Sequence, residues 1–308
     1  MAKNPSESLL ARLKNMAREQ GLTMEMAMRR YAHERLLSLM QATGRSDEFC
    51  LKGGVMLGAL LGEASRPTED IDFNGMDAGM SVSHLEEALR DVCSAHDGGD
   101  GLTFDLTTMR VLKDRDGAVP GGKVFMMANI GRTRVPLRID VGYGNAITPR
   151  TVKLEIESIL PSLIPPITVT AYPLETTVAE KLHAMHRHGE LNTRIKDYFD
   201  LWQLSLRFSF EGEVMAEAIA NTFAQQGDEV PEEMPALGPG FAESKAAQRQ
   251  WDSFAKLVET GRGEELSHVV GLVAGFVMPA LGAARGGASP GDWRPGEGWS
   301  GAVPRPFP

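Results

Sequence analysis

Apolar residues recur at helical spacing from the start of the chain. Leu9, Leu10, Leu13 and Met16 form one stripe, and Met24, Met28, Ala32, Leu36, Leu39 and Met40 form a second, which predicts two helices over 5–42. Asn4 and Ser6 are candidate caps for the first helix, Gly21 breaks the pair, and Thr23 caps the second. The apolar run 55–61 reads as a buried helix entered through Gly53-Gly54. After Arg66-Pro67 the spacing changes to a short strand at 70–73, a helix over about 83–95, and extended segments at 102–112, 123–130, 134–141 and 167–172. Gly117, Pro120 and Gly121-Gly122 mark a turn between the first two of these segments. From Leu174 the helical period returns, with Val178, Leu182 and Met185 on one stripe and Ile195, Phe199, Trp202 and Leu206 on another.

This order predicts an α+β fold in which a mixed sheet with N-terminal helices occupies 1–173 and a helical domain occupies 174–281. Residues 282–308 are dominated by Gly, Pro, Ala and Ser, yet hold Trp293 and Trp299, two of only four tryptophans. A disordered tail would rarely keep them, so an extended tail laid against the body is expected. Hydrophobic residues at 42% and charged residues at 24% are ordinary for a globular protein. No run approaches the roughly 20 apolar residues that span a bilayer, and the polar amphipathic opening lacks a signal peptide's apolar stretch. The expectation is a cytoplasmic protein without a membrane partner. Cys50 and Cys93 are the only cysteines, which gives neither a disulfide framework nor a cysteine-based zinc site. At a net charge of −9, any nucleic-acid contact must use a local basic patch.

Three motif matches fail on context. Gly117 through Lys123 fits the first seven positions of a P-loop, but Val124 stands where Ser or Thr must bind magnesium, and the segment joins two strands. Gly287-Ala-Ser289-Pro-Gly291 has the nucleophile-elbow spacing but lies in the tail. His183, His186 and His188 share a helix without a carboxylate or cysteine to complete a metal spacing, so a solvated helix face is expected.

The informative pattern is Lys52-Gly53-Gly54 followed by Arg66-Pro-Thr-Glu-Asp70-Ile-Asp72-Phe73. On a strand, residues two apart share a face, so Asp70 and Asp72 are presented together while Ile71 and Phe73 face the core. A divalent cation neutralises such a pair, and a glycine pair at a helix entrance lets backbone N–H groups approach phosphate. Asp140 is a third carboxylate, with Arg138 and Gly142 on the same strand face. It either completes a metal site, takes a proton from an attacking hydroxyl, or merely pairs with Arg138. Lys181 lies at the rim of a buried helix face, within reach of a triphosphate. Arg194 with Asp197, and Lys196 with Asp200, have the spacing of helix ion pairs.

Together these segments resemble the AbiEii/AbiGii toxin family of nucleotidyltransferases, similar in core to the DNA polymerase beta-like enzymes. The likeness runs in order over about 5–275 through Phe49-Cys-Leu-Lys52-Gly-Gly54, Arg66 through Phe73, Asp140-Val-Gly-Tyr-Gly144, Ala171-Tyr-Pro-Leu-Glu175, Val178 through Leu182, and Arg194 through Leu201. The resemblance implies NTP and Mg2+ as cosubstrate and cofactor. Gly53 and Gly54 would hold phosphate, with Lys52, Arg66 and Lys181 as basic nucleotide contacts. Asp70 and Asp72 would bind metal, and Lys181 and Asp197 would match the lysine and late aspartate that members need for activity. It further implies an RNA acceptor, with tRNA foremost, and a cognate antitoxin. Many relatives carry Ser or Thr after the glycine pair where this chain has Val55, which removes a hydroxyl from the phosphate site. Arg187, Arg194, Lys196 and Arg207 form the densest basic run in the C-terminal half and are candidate RNA contacts.

The expected function is transfer of a nucleotide to RNA by a toxin. Two alternatives use the same residues: a degenerate protein that binds nucleotide or partner without turnover, and a metal-dependent phosphohydrolase or nuclease.

Overall fold

Both expected N-terminal caps form. The Asn4 side chain accepts from Ser6 N and starts α1 (Pro5–Glu19), and Thr23 Oγ1 accepts from Met26 N and starts α2 (Met24–Ala42). The computed structural model describes residues 4–77, 79, 81–114 and 121–301. The chain divides into two units, one comprising residues 1–59, 68–145 and 152–171, the other 60–67, 146–151 and 172–308.

The first unit continues with β1 (Phe49–Lys52), α3 (Gly53–Leu61), β2 (Asp70–Gly75), α4 (Val82–Ser94), β3 (Leu102–Asp114), β4 (Gly121–Ile130), β5 (Thr133–Tyr143), β6 (Val152–Ile156) and β7 (Ile167–Ala171). The start of α3, through residue 59, lies in this unit. Among the described residues the main sheet has seven strands in the order β3-β4-β5-β2-β1-β7-β6. The β2/β5 and β1/β7 pairs are parallel and the others antiparallel, so the sheet is mixed. The turn expected at Gly117 and Pro120 lies outside the described residues.

One sheet face makes the core. Along β5, Val135, Leu137, Ile139 and Val141 are buried while the residues between them reach the other face, as period-two alternation requires. Helices α1, α2 and α4 pack on the sheet. Because α2 also lies against α1 and α4, it is buried beyond a single stripe and takes in Tyr31, His33 and Glu34. The Glu34 carboxylate accepts from Ser158 Oγ, Ile159 N and Arg30 Nε, which satisfies an otherwise costly buried charge.

The second unit holds α5 (Leu174–His188), α6 (Ile195–Arg207), β8 (Phe210–Glu211), α7 (Gly212–Gln226), α8 (Pro239–Ala242), α9 (Lys245–Ala255), α10 (Leu266–Ala284), β9 (Asp292–Arg294) and β10 (Gly298–Trp299). Against the expectation that no run approaches a membrane-spanning length, α10 is, among the described residues, the one helix long and apolar enough to cross a membrane. Its Val269, Val273, Phe276, Val277 and Ala280 are buried, and it packs on α6 and α7. Beyond Gly282 the chain pairs β9 with β8 and β10. There Trp293 Nε1 donates to Ser205 O, and Trp299 Nε1 to the carbonyls of Gly275 and Phe276.

Candidate active site

Strand register assembles the first cluster. Lys52 on β1 stands opposite Asp72 on β2, Asp72 opposite Asp140 on β5, and Asp140 opposite Lys123 on β4. One row of lysine, aspartate, aspartate and lysine thus crosses four adjacent strands. Two residues along, Asp70 stands opposite Arg138. Ile71, Phe73, Ile139 and Val141 are buried on the opposite face and fix the orientation of the row. Carboxylates directly opposed on neighbouring strands repel one another, so Asp72 and Asp140 make this face a place where cations are favoured.

The glycine pair is built into the same spot. Gly53 opens α3 at φ +68°, and a β-carbon there would collide with the carboxylate of Asp72. The first N–H groups of a helix lack partners within it and favour anions, and here they begin beside an acidic residue. Asp70 Oδ1 is enclosed without a hydrogen-bond partner among the described residues, and Arg138 Nη1 lies 3.9 Å from it. An enclosed carboxylate oxygen is expensive unless a cation meets it. No group of three or more Asp, Glu, His or Cys side chains among the described residues converges as a complete metal cage. Magnesium takes one or two carboxylates and completes its shell with water and substrate phosphate, and Asp70 with Asp72 fit that donor set.

A second cluster lies within the second unit. Lys181 Nζ on α5 donates to Asp197 Oδ1 at 2.8 Å and to Asp200 Oδ2 at 2.6 Å, both on α6. Arg66 clamps Asp200 through two parallel bonds of 2.9 Å, and Arg194 Nε donates to Asp197 Oδ2 at 2.6 Å. Side-chain exposure is 11% for Lys181, 4% for Asp197 and 1% for Asp200. Burial works against the Lys181 charge, but Asp197 and Asp200 outweigh it and raise its pKa. Burial would likewise raise Asp197, yet Lys181 and Arg194 hold it below the usual carboxylate range. Among the described residues Arg66, Lys181 and Arg194 thus hold the two carboxylates Asp197 and Asp200.

The structure therefore brings together Lys52, Gly53, Asp72 and Asp140 in one unit, and Arg66, Lys181 and Asp197 in the other. Two expectations are corrected. Asp200 does not take Lys196, its neighbour at helical spacing, but is held by Arg66 and Lys181. His183 is not on a solvated face: it is buried, its Nε2 lies 2.7 Å from Asp228 Oδ2, and its ring meets Phe223 edge-on. Arg187, Arg194, Lys196 and Arg207 are exposed. Arg194 is bonded to Asp197, Arg187 lies 3.9 Å from Asp228, and Arg207 Nη1 donates to Gln203. Val55 is half-buried in the first turn of α3. Lys123 was missed as a site residue; the alternation of Lys123, Phe125, Met127 and Asn129 against buried Val124, Met126, Ala128 and Ile130 was the signal that places it on the polar face.

The family model for the nucleotidyl transferase AbiEii toxin of type IV TA systems matches residues 35–270. Two solved structures share the fold: JHP933 from Helicobacter pylori and a provisionally named nucleotidyltransferase from H. pylori. Each is 14% identical with a TM-score of 0.50 over 86% of this chain, covering 94% of JHP933 and 96% of the other. No curated protein matches the chain.

Proposed function

Because this chain belongs to the AbiEii nucleotidyl transferase toxin family, we propose that it transfers a nucleotide from an NTP to an RNA acceptor, tRNA foremost, with magnesium. The family makes it the toxin of a toxin–antitoxin pair, with an antitoxin as partner. The observation that supports the chemistry best is the row in which Asp72 and Asp140 stand opposite each other beside Asp70, with Gly53 against Asp72.

Asp70 and Asp72, with Asp140, are the residues that would hold magnesium, which when bound supplies charge neutralisation for the triphosphate. The backbone of Gly53 and Gly54, at the start of α3, receives phosphate oxygens, and Lys52 adds a positive charge beside them. Val55 leaves this turn without a hydroxyl, so phosphate recognition rests on backbone groups and lysine. Lys181 and Asp197 are the residues that the family likeness makes necessary. Asp197 and Asp200 fix the lysine ammonium, and Arg66 and Arg194 in turn hold those carboxylates. Chemistry of this kind relies on positioned charge more than on covalent catalysis.

The test is incubation of the purified protein with total RNA, magnesium and each labelled NTP in turn, alongside Asp72→Ala. Label in a tRNA-sized band that the variant lacks is the expected result and names the nucleotide. Absence of label with every NTP would remove RNA as the acceptor.

A further inference from the structure

The polar sheet face carries a second row, beside that of the carboxylates. The register sets Asp70, Arg138, Phe125 and Arg110 opposite one another on β2, β5, β4 and β3. Phe125 thus stands between two arginines, two residues along β4 from Lys123. Its flanking neighbours Val124 and Met126 are buried on the core side, whereas Phe125 itself is 36% exposed. Leu112 on β3, opposite Lys123, is 55% exposed. Two large apolar side chains are therefore presented to solvent within a fringe of Lys123, Arg110 and Arg138. Arg138 lies near Glu69 and Asp70 at the inner end of the row, at 3.4 and 3.9 Å. Arg110, at the outer end, makes no ion pair among the described residues.

We propose that Arg110, Phe125 and Arg138, with Lys123 and Leu112 beside them, form the platform that receives the single-stranded end of the RNA acceptor. This rests on the reading of RNA as acceptor. A base stacks on the Phe125 ring while the arginines neutralise the phosphates on either side. Every base has a π-face, so an exposed aromatic interleaved with cations is the general solution for single strands. Charge argues the same way. At −9 overall the chain repels a polyanion at long range, so attraction must come from a local concentration of cations such as this one. Acidic side chains border the platform on its inner side, with Glu69 and Asp70 near Arg138 and Asp140 opposite Lys123, while Arg110 and Phe125 stand outward of them. Adjacent strands are about 4.8 Å apart, so Phe125 and Asp70, two strands apart, are separated by on the order of 10 Å. A strand stacked on Phe125 thereby brings its terminal hydroxyl to the carboxylates.

Binding and turnover test this separately. Affinity for a fluorescein-labelled single-stranded RNA of mixed sequence is measured by anisotropy without NTP, for the wild type, Phe125→Ala, Phe125→Trp and Arg110→Gln/Arg138→Gln. Phe125→Ala is expected to weaken binding about tenfold, equivalent to about 1.4 kcal/mol, and Phe125→Trp to restore it. The double arginine variant should flatten the dependence of log Kd on log salt by about 1.4, about 0.7 for each phosphate that an arginine no longer neutralises. Circular dichroism of each variant matches the wild type, because these side chains are exposed. Unchanged RNA affinity in Phe125→Ala would overturn the platform, even if the wild type labels RNA. So would weakened affinity for NTP alone with RNA affinity intact, since the ring would then hold the incoming base. Loss of RNA affinity in Phe125→Ala supports the platform even if no NTP labels RNA, in which case only the transfer reading fails.

Discussion

Gly53 and Asp72 touch so closely that no β-carbon fits between them. The backbone at Gly53 is also left-handed, at φ +68°, which costs other residues about 1–2 kcal/mol. Gly53→Ala therefore strains the entrance to α3 and displaces the carboxylate at once. The expected outcome is a loss of nucleotide incorporation of about a hundredfold or more with a modest fall in stability. Wild-type turnover in this variant would remove Gly53 from the site.

Asp70→Asn and Asp72→Asn keep the side chain's shape but remove its charge. Each is expected to lower incorporation by about 10²–10³-fold, with the circular dichroism of the folded protein retained. Chelation of divalent metal should abolish wild-type incorporation, and added magnesium restore it. Activity that persists in both variants would refute the metal assignment.

The Lys181 cluster is a stability element as well as a candidate catalytic one. Lys181→Met removes one charged hydrogen bond from each of Asp197 and Asp200, which keep Arg194 and Arg66, at a cost of about 1.5–3 kcal/mol, readable as a lower urea midpoint. The pH response follows from the two shifts. The depressed Asp197 contributes stability above its unfolded pKa of about 3.9, which is lost as pH falls through its folded value. The raised Lys181 contributes below about 10.4, and that is lost as pH rises through its folded value. Asp197→Asn should be less stable than wild type at neutral pH and converge with it in strong acid. A constant gap down to pH 2 would contradict the ion pairing.

His33 on α2 is buried with its Nε2 unpartnered among the described residues, and burial, aided by Arg29, lowers its pKa to about 3. It stays neutral in the fold while the unfolded chain protonates below about 6.5. Its contribution to stability is thus present above pH 6.5 and is lost as pH falls toward 3. Between pH 7.5 and 5 the loss is about 2 kcal/mol. His33→Leu should flatten that part of the stability curve in urea titrations. An unchanged slope would show that His33 accepts a proton in the fold.

Trp293 lies 4.9 Å from the Phe276 ring and 5.5 Å from Trp299, with its Nε1 bonded to Ser205 O. Trp293→Ala removes both the ring contacts and a donor and should cost about 2 kcal/mol. A chain ending after Gly287 should lose at least as much in the same assay. No change in either would mean that the tail contributes nothing to stability.

Where signals were local, the sequence was sufficient. Gly21 with Thr23 marked the break between α1 and α2, and the alternation around Asp70 and Asp140 placed both aspartates on the polar face. The strand β1 was harder to see because Phe49, Cys50 and Leu51 are all buried, which erases alternation, and the run continues at once into α3. The edge strand β6 is short and bears charge on both sides of Leu154. For Asp200 the misleading signal was Lys196 at helical spacing, since the actual partner Arg66 lies far upstream and no local pattern marks a distant ion pair. The row from Lys52 to Lys123 shows the same limit: each residue was legible on its own strand, but their alignment depends on a strand order that the sequence does not display.

Arg66 and Asp200 also set an order of events during synthesis. They are 134 positions apart, and at roughly 5–20 residues per second the arginine emerges roughly 7–27 seconds before its partner. Until then its guanidinium lacks the Asp200 carboxylate that it clamps in the fold, as Lys181 lacks Asp197 and Asp200 for a shorter wait. The ion cluster of the second unit is therefore a late event, and a nascent chain stalled before α6 carries these cations without the anions that order them.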